Sequence, residues 1–120
     1  MPSVLIVDDS YFMRTILKQT LFEAGFTDLH EATNGSEAVE KYAVLKPDLV
    51  TMDITMPVMD GLQAVKAIIA HHASAKIIMV TAMGQQSLLA EALQLGAVGF
   101  VIKPFQLSKV LEEVQSALRR

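Results

Sequence analysis

The chain alternates short apolar runs with longer segments of helical pattern five times over its 120 residues. The runs have the length and apolar character of buried strands, and they cover residues 3–8, 29–32, 49–53, 76–81 and 98–103. Regular alternation of strands and helices is typical of a parallel sheet with right-handed crossovers and with helices on both faces. The sequence therefore predicts an α/β fold built on a doubly wound, five-stranded parallel sheet.

Apolar residues at helical spacing and helix-capping residues predict helices between the runs. The first helical pattern stops at Gly25 and places these residues on one stripe: Phe12, Met13, Ile16, Leu17, Leu21 and Ala24. Asn34 and Glu37 have the spacing of a capping box before the second helix. Asp60 and Gln63 have the same spacing before the third. Five strands joined in this way suit the flavodoxin-like order 2-1-3-4-5, in which strands 1 and 3 are neighbours.

Length and composition indicate the number of domains and exclude several classes of site and partner. A chain of 120 residues suits one domain, residues 1–120, without a linker. A net charge of -3 without a Lys/Arg cluster argues against nucleic acid as a partner. The chain has no cysteine, which excludes a disulfide framework or a thiolate site. It has neither a basic leader nor an apolar run of ~18 residues, so we expect a cytoplasmic protein without membrane insertion.

Polar residues follow four of the runs at their carboxyl ends. Asp8 ends the first run and Asp9 follows it, Asp53 ends the third, and Thr81 and Lys103 end the fourth and fifth. Open α/β sheets bind their ligands at the carboxyl edge of parallel strands, where such residues meet. The sequence therefore predicts one pocket that contains three carboxylates, a hydroxyl and an ammonium group.

The three carboxylates predict a metal site. Crowded carboxylates repel one another unless a pKa rises or a cation binds. Oxygen ligands without a nearby histidine or cysteine favour a hard ion such as Mg²⁺. We expect Asp8, Asp9 and Asp53 to hold Mg²⁺, with the backbone carbonyl of Thr55 as a further ligand.

The same pocket has the groups that accept and hold a phosphoryl group. The Asp53 carboxylate is the candidate nucleophile, since a carboxylate can form an aspartyl-phosphate. Lys103 offers a charge, and Thr81 a hydroxyl donor, for phosphoryl oxygens. Taken singly, Asp9 would be a helix cap, Asp53 a turn residue and Thr81 a strand residue. Their coincidence at one sheet edge favours a site.

In this order and at these spacings, the motifs resemble a response-regulator receiver domain over the full length of the chain. Asp8-Asp9 resembles the family's acidic pair, and Asp53 resembles its phosphoacceptor. Thr81-Ala82 resembles the switch hydroxyl with its small neighbour. Lys103-Pro104-Phe105 resembles the family's lysine with a cis peptide bond, and residues 56–61 match the loop after the phosphoacceptor.

A narrower resemblance is to the chemotaxis regulators of Gram-positive and thermophilic bacteria. It is found in residues 7–14, 51–57, 82–87 and 103–106. Phe100 stands at the aromatic switch position, where many relatives carry tyrosine, and simple core packing is its alternative role. Thr55 and Met83 stand where the family's side chains flank the water that hydrolyses the aspartyl-phosphate. Neither has a carboxylate or carboxamide, which implies slow self-dephosphorylation and a separate phosphatase.

The resemblance implies a phosphorylation-activated module of a two-component system. A chemotaxis-type histidine kinase would phosphorylate Asp53, and the protein, a monomer, would then change its affinity for the flagellar switch protein. Such a protein is a phosphoacceptor and binding module rather than an enzyme, since it catalyses only its own phosphorylation and slow dephosphorylation. The alternative is a phosphorelay carrier that passes the phosphoryl group to a phosphotransfer histidine.

Two other classes of function fit the sequence less well. A phosphatase of the haloacid-dehalogenase type needs a second acid two residues after its nucleophile, and Thr55 stands at that position. A flavin carrier of the flavodoxin type cradles phosphate in a loop after the first strand, where Asp8 and Asp9 would repel it.

Overall fold

The computed structural model describes residues 2–120. Strands and helices alternate throughout, as the sequence predicts. The strands are β1 (Ser3–Val7), β2 (Asp28–Ala32), β3 (Leu49–Asp53), β4 (Ile77–Ala82) and β5 (Gly99–Lys103). The helices are α1 (Tyr11–Glu23), α2 (Gly35–Leu45), α3 (Gly61–His71), α4 (Gln86–Leu95) and α5 (Leu107–Leu118).

The five strands form one parallel sheet in the order β2-β1-β3-β4-β5. This is the predicted doubly wound, flavodoxin-like order, with β1 and β3 side by side at the centre. In the β3–β4 register Asp53 lies opposite Val80, and in the β4–β5 register Ala82 lies opposite Lys103. The carboxyl ends of the central strands are therefore nearly level, and they bring the predicted polar residues to one edge.

Both faces of the sheet are buried. Successive strand residues point to opposite faces, and β1 to β4 each contribute side chains to two apolar layers. One layer joins the sheet to α2, α3 and α4, and the other joins it to α1 and α5. The largest fully buried side chains of the core include Leu5, Ile6, Met52, Ile68 and Ile77. Each such side chain stabilises the fold by roughly 1.5–3 kcal/mol relative to an exposed one, so the core fixes the strand ends on which the site stands.

The buried stripe of α1 differs from the predicted one. Phe12 is 71% exposed and Ala24 is also exposed, whereas Arg14 is buried with Leu17 and Leu21. Ser10 caps the helix through a hydrogen bond from the Met13 amide. Successive helical residues are about 100° apart, so Phe12 lies about 140° around the helix from the buried Leu17. Phe12 therefore faces solvent.

One of the two predicted capping boxes is complete. Asp60 and Gln63 make both reciprocal hydrogen bonds at the start of α3. At the start of α2 the Asn34 side chain accepts a hydrogen bond from the Glu37 amide. The Glu37 carboxylate, however, accepts hydrogen bonds from the amide and hydroxyl of Thr33 instead of from the cap residue. Thr33 offers two donors where the cap residue would offer one, which favours the observed arrangement.

The outer edge of β5 is covered by a side chain. The Phe100 amide, which points away from β4, donates a hydrogen bond of 3.2 Å to Oε1 of Glu113 in α5. Gly99 lies beneath the same carboxylate, because a Cβ atom there would lie 2.9 Å from Glu113 Oε1. Within residues 2–120, none of the helices combines the length and the apolar character that crossing a membrane requires.

Candidate functional site

Asp53 ends β3 at the centre of the carboxyl edge. The residue is 7% exposed, and its Oδ1 accepts a hydrogen bond of 2.9 Å from the Ile54 amide. The pKa of Asp53 is raised to about 6, chiefly by burial and then by the neighbouring Asp8 carboxylate, while Lys103 and the Ile54 amide oppose part of the rise. A buried carboxylate with a raised pKa is a nucleophile or acid–base candidate.

The two residues of the acidic pair differ in exposure. Asp8 is 1% exposed, and its Oδ1 accepts a hydrogen bond of 2.9 Å from the Ser10 amide. Asp9 is exposed to solvent. Asp8 is thus fixed in the floor of the pocket, and Asp9 stands at its rim.

Lys103 reaches from the end of β5 to both buried carboxylates. Its Nζ lies 3.2 Å from Asp8 Oδ2 and 3.5 Å from Asp53 Oδ1. The peptide bond between Lys103 and Pro104 is cis. The structure therefore places the ammonium group beside both buried carboxylates.

The donor set of this pocket fits a hard metal ion. One carboxylate oxygen from each of Asp8, Asp9 and Asp53 lies within 4.8 Å of the other two. All three donors are oxygens, the ligands that Mg²⁺ and Ca²⁺ prefer. The predicted Thr55 carbonyl belongs to the loop that follows Asp53, and its role as a ligand stays a prediction.

Thr81 lies beside this pocket but its hydroxyl is engaged elsewhere. The side chain is 2% exposed at the end of β4, and Oγ1 lies 3.1 Å from Oε1 of Gln85. The Gln85 side chain also contacts the Ala82 amide and the Thr55 hydroxyl. Gln85 therefore joins the β3–α3 and β4–α4 loops, a contact that the sequence analysis did not find.

Arg14 contacts the backbone of the acidic pair. The sequence did not predict this role. Its Nη1 donates a hydrogen bond of 2.7 Å to the backbone carbonyl of Asp8. Its Nε pairs with Glu31 of β2 at 3.0 Å, and Lys18 pairs with the same carboxylate. These partners satisfy a buried guanidinium and fix the turn between β1 and α1.

Gly61 allows α3 to start directly against the backbone at the end of β3. Its amide donates a hydrogen bond of 2.7 Å to the Ile54 carbonyl. A Cβ atom at this position would lie 2.1 Å from the Asp53 carbonyl oxygen. Only glycine fits this close approach.

The remaining predicted residues lie on β5 and in the loops that follow β3 and β4. Phe100 is 37% exposed on β5, and Met83 is 77% exposed in the loop after β4. Phe100 is thus partly accessible on the outside of β5, and core packing alone does not describe it. The structure brings together the three aspartates and Lys103, whereas the switch and hydrolysis roles of Phe100, Thr55 and Met83 stay predictions.

The raised pKa of Asp53 predicts a pH dependence of stability in the presence of a chelator. Between pH 3.8 and about 6 the folded state holds a proton that the unfolded state has lost, so stability falls as pH rises through this range. The ionised carboxylate then lowers the free energy of unfolding by up to about 3 kcal/mol. We expect Asp53→Asn to be more stable than wild type at pH 7.5, with a smaller difference at pH 4.

Urea denaturation of both proteins at several pH values measures this difference. Glu91→Gln is the control, since Glu91 is exposed on α4. A difference between wild type and Asp53→Asn that does not change with pH would contradict the raised pKa.

Comparison with known sequences identifies the family. Residues 4–115 match the family described as response regulator receiver domain. The chemotaxis protein CheY of Thermotoga maritima is 57% identical over 109 residues, which cover 91% of this chain and 91% of that protein. The chemotaxis protein CheY of Bacillus subtilis is 54% identical over 115 residues, which cover 96% of each chain. The expected resemblance to chemotaxis regulators of Gram-positive and thermophilic bacteria is confirmed.

Solved structures share the fold over nearly the whole chain. A chain in the crystal structure of the CheX-CheY-BeF3-Mg+2 complex from Borrelia burgdorferi is 41% identical, with a TM-score of 0.90, over 95% of this chain and 87% of that one. The response regulator domain of Thermotoga maritima CheB is 36% identical, with a TM-score of 0.88, over 100% of this chain and 98% of that one. Because sequence and fold agree over this length, the chain belongs to the response regulator receiver domain family and is of the CheY type.

Proposed function

We propose that this protein is a phosphorylation-activated signalling module of a two-component system in chemotaxis. A histidine kinase of the chemotaxis type phosphorylates Asp53, and the phosphorylated form changes its affinity for a partner. The observation that carries the proposal is the buried Asp53 carboxylate, which has the Lys103 ammonium 3.5 Å away and two further carboxylates beside it. The protein is a phosphoacceptor and binding module, and its only catalysis is of its own phosphorylation and dephosphorylation.

The site residues divide the chemistry between them. An Asp53 oxygen attacks the phosphorus in line with the leaving imidazole nitrogen of the kinase, so that one O–P bond forms as one N–P bond breaks. The Lys103 ammonium pairs with a phosphoryl oxygen. Asp8, Asp9, Asp53 and the Thr55 carbonyl hold Mg²⁺, which when bound neutralises charge on the phosphoryl oxygens.

The response to phosphorylation passes through β4 and β5. The Thr81 hydroxyl, next to the pocket, turns to donate to a phosphoryl oxygen, and Phe100 changes position on β5. Both residues border the face made by α4, β5 and α5, whose affinity for a partner then shifts. A ligand shifts such an equilibrium only by its differential affinity for the two states, and the Thr81 hydrogen bond provides that difference.

The comparisons support the choice of partners. Both quoted sequence relatives are chemotaxis proteins, and the neighbour from Borrelia burgdorferi is in a complex with CheX. We therefore propose a chemotaxis kinase as the donor, the flagellar switch protein as the target and a separate phosphatase, with the protein acting as a cytoplasmic monomer.

Partner affinity with and without a phosphoryl analogue tests this function. Calorimetric titration with the flagellar switch protein of the same organism should show an affinity at least about tenfold higher when Mg²⁺ and beryllofluoride are present. Thr81→Ala should still be phosphorylated by acetyl phosphate. The factor by which beryllofluoride raises its affinity for the switch protein should, however, be smaller than in wild type. Equal affinities for wild type in both conditions would contradict the flagellar output. Transfer of the phosphoryl group from Asp53 to a phosphotransfer histidine would support the relay alternative.

The lifetime of the aspartyl-phosphate should depend on positions 55 and 83. Hydrolysis requires a water molecule in line with the Asp53 oxygen, and neither Thr55 nor the exposed Met83 can orient it as an acid or amide would. We expect Thr55→Asn and Met83→Glu to change the decay rate by more than about twofold, a barrier change above about 0.5 kcal/mol. Mg²⁺ affinity should change much less.

Decay is followed by mass spectrometry after the donor is removed. Gln86→Glu is the matched control, because it adds an acid in the same loop region on the exposed first residue of α4. If both variants decay within about twofold of wild type, these side chains do not control the lifetime.

A further inference from the structure

The side chain of Gln85 contacts three groups at once, two at the end of β4 and one in the loop after β3. Its Oε1 lies 2.7 Å from the Ala82 amide and 3.1 Å from Thr81 Oγ1. Its Nε2 lies 2.7 Å from Thr55 Oγ1. Gln85 precedes α4 and makes no side-chain cap there, so these contacts are not part of an ordinary helix start.

Hydrogen-bonding chemistry fixes the position of the Thr81 proton. A backbone amide can only donate, so the Gln85 atom that faces Ala82 must be the carbonyl oxygen. An amide carbonyl oxygen can only accept, so the contact with Gln85 Oε1 at 3.1 Å needs the proton of the Thr81 hydroxyl, for which the Ala82 carbonyl, at 3.3 Å, is the more distant acceptor. A hydroxyl group has a single proton to donate. The Thr81 proton is therefore already committed to Gln85.

We propose that Gln85 is a positioning residue that restrains the Thr81 hydroxyl and opposes its turn toward the phosphoryl group on Asp53. The inference rests on the proposed function, in which Thr81 donates to a phosphoryl oxygen. Because the hydroxyl has one proton, the bond to Gln85 must break before the bond to the phosphoryl group can form. Gln85 thus sets how much of the protein is in the active conformation before phosphorylation.

The contact with Thr55 extends the restraint to the phosphoacceptor loop. Thr55 lies two residues after Asp53, and its hydroxyl accepts the hydrogen bond from Gln85 Nε2. When Thr81 leaves Gln85, the glutamine loses one of its three partners, and the link between the two loops weakens. One side chain therefore makes the movements of the β3–α3 and β4–α4 loops interdependent.

Affinity for beryllofluoride, measured by calorimetry in the presence of Mg²⁺, tests the inference. Gln85→Ala removes the acceptor, so the phosphoryl analogue no longer competes with it for the Thr81 proton. We expect the variant to bind beryllofluoride about fivefold more tightly than wild type, the factor that corresponds to one ordinary hydrogen bond. Without beryllofluoride, the NMR amide signals of Phe100 and Ile102 should move toward their positions in the beryllofluoride complex.

Three further variants separate the restraint from a general loosening of the loop. Gln86→Ala removes an exposed glutamine from the next position and should bind like wild type. Gln85→Glu keeps an acceptor that faces Thr81 and should show no gain. Adding Gln85→Ala to Thr81→Ala should leave beryllofluoride affinity unchanged, since no hydroxyl remains to be released.

The outcomes distinguish this inference from the proposed function. If wild type binds no beryllofluoride with Mg²⁺, the proposed function fails and the inference fails with it. If wild type binds but Gln85→Ala binds equally or more weakly, only the restraint by Gln85 is overturned. A gain that persists in the Thr81→Ala background would also overturn it, because the effect would not pass through the Thr81 hydroxyl.

Discussion

Replacing Asp53 by asparagine should abolish labelling of the protein by acetyl phosphate in the presence of Mg²⁺. The carboxamide is a poor nucleophile and cannot form the acyl phosphate, while its size and shape match the buried carboxylate. Intact-mass spectrometry after incubation with acetyl phosphate should show the phosphorylated species for wild type and none for the variant. Since the substitution removes a buried charge, the variant should remain folded.

Asp60→Asn is the matched control for this experiment. Asp60 caps α3 in the loop that follows Asp53, and asparagine caps helices about as well as aspartate. The control should therefore be labelled like wild type. Labelling of Asp53→Asn at the wild-type level would show that the phosphoryl group is carried by another residue.

Replacing Gly61 by alanine should both destabilise the protein and slow its phosphorylation. The added Cβ would lie 2.1 Å from the Asp53 carbonyl oxygen and 2.9 Å from the Ile54 Cα. Both neighbours are backbone atoms, so no side-chain rotation relieves the clash. We expect a loss of at least about 3 kcal/mol in the free energy of unfolding. A displacement of Asp53 by about 1 Å would slow labelling by roughly 10²-fold.

Urea denaturation and the rate of labelling by acetyl phosphate measure the two effects. Gly25→Ala is the control, because Gly25 has a positive φ but no neighbouring atom within 4 Å of its added Cβ. That variant should lose some stability through its backbone conformation and keep its labelling rate. If Gly61→Ala is labelled at the wild-type rate, the contact of α3 with β3 does not position Asp53.

The topology and the main site residues could be predicted because they depend on local patterns. Each apolar run identifies a strand, and the residue at its end must lie at the carboxyl edge once the strands are parallel. Asp8, Asp53 and Lys103 meet for this reason, although the chain separates them widely. The difference in burial between Asp8 and Asp9 could not be predicted in the same way, since it depends on how the following turn packs.

The supporting residues could not be predicted because their partners are remote in sequence. Gln85 contacts Thr55 thirty residues earlier, and Arg14 contacts Glu31 seventeen residues later. Arg14 also explains the error on α1. A hydrophobicity stripe assigns the buried face to apolar residues, but a charged residue can occupy that face when a carboxylate and a carbonyl satisfy it. Nothing in the local sequence signals those partners.

The carboxylate of Glu113 on the outer edge of β5 limits how other proteins can bind there. An exposed strand edge offers its amides to a further strand, which leads to strand addition or to aggregation. Here the Phe100 amide is already bonded to Glu113, so an incoming strand would have to displace that side chain. The partly exposed Phe100 and Ile102 side chains beside it stay accessible. We therefore expect recognition beside Phe100 to rely on side-chain packing, and the Glu113 charge to oppose pairing of this edge with a second copy of the sheet.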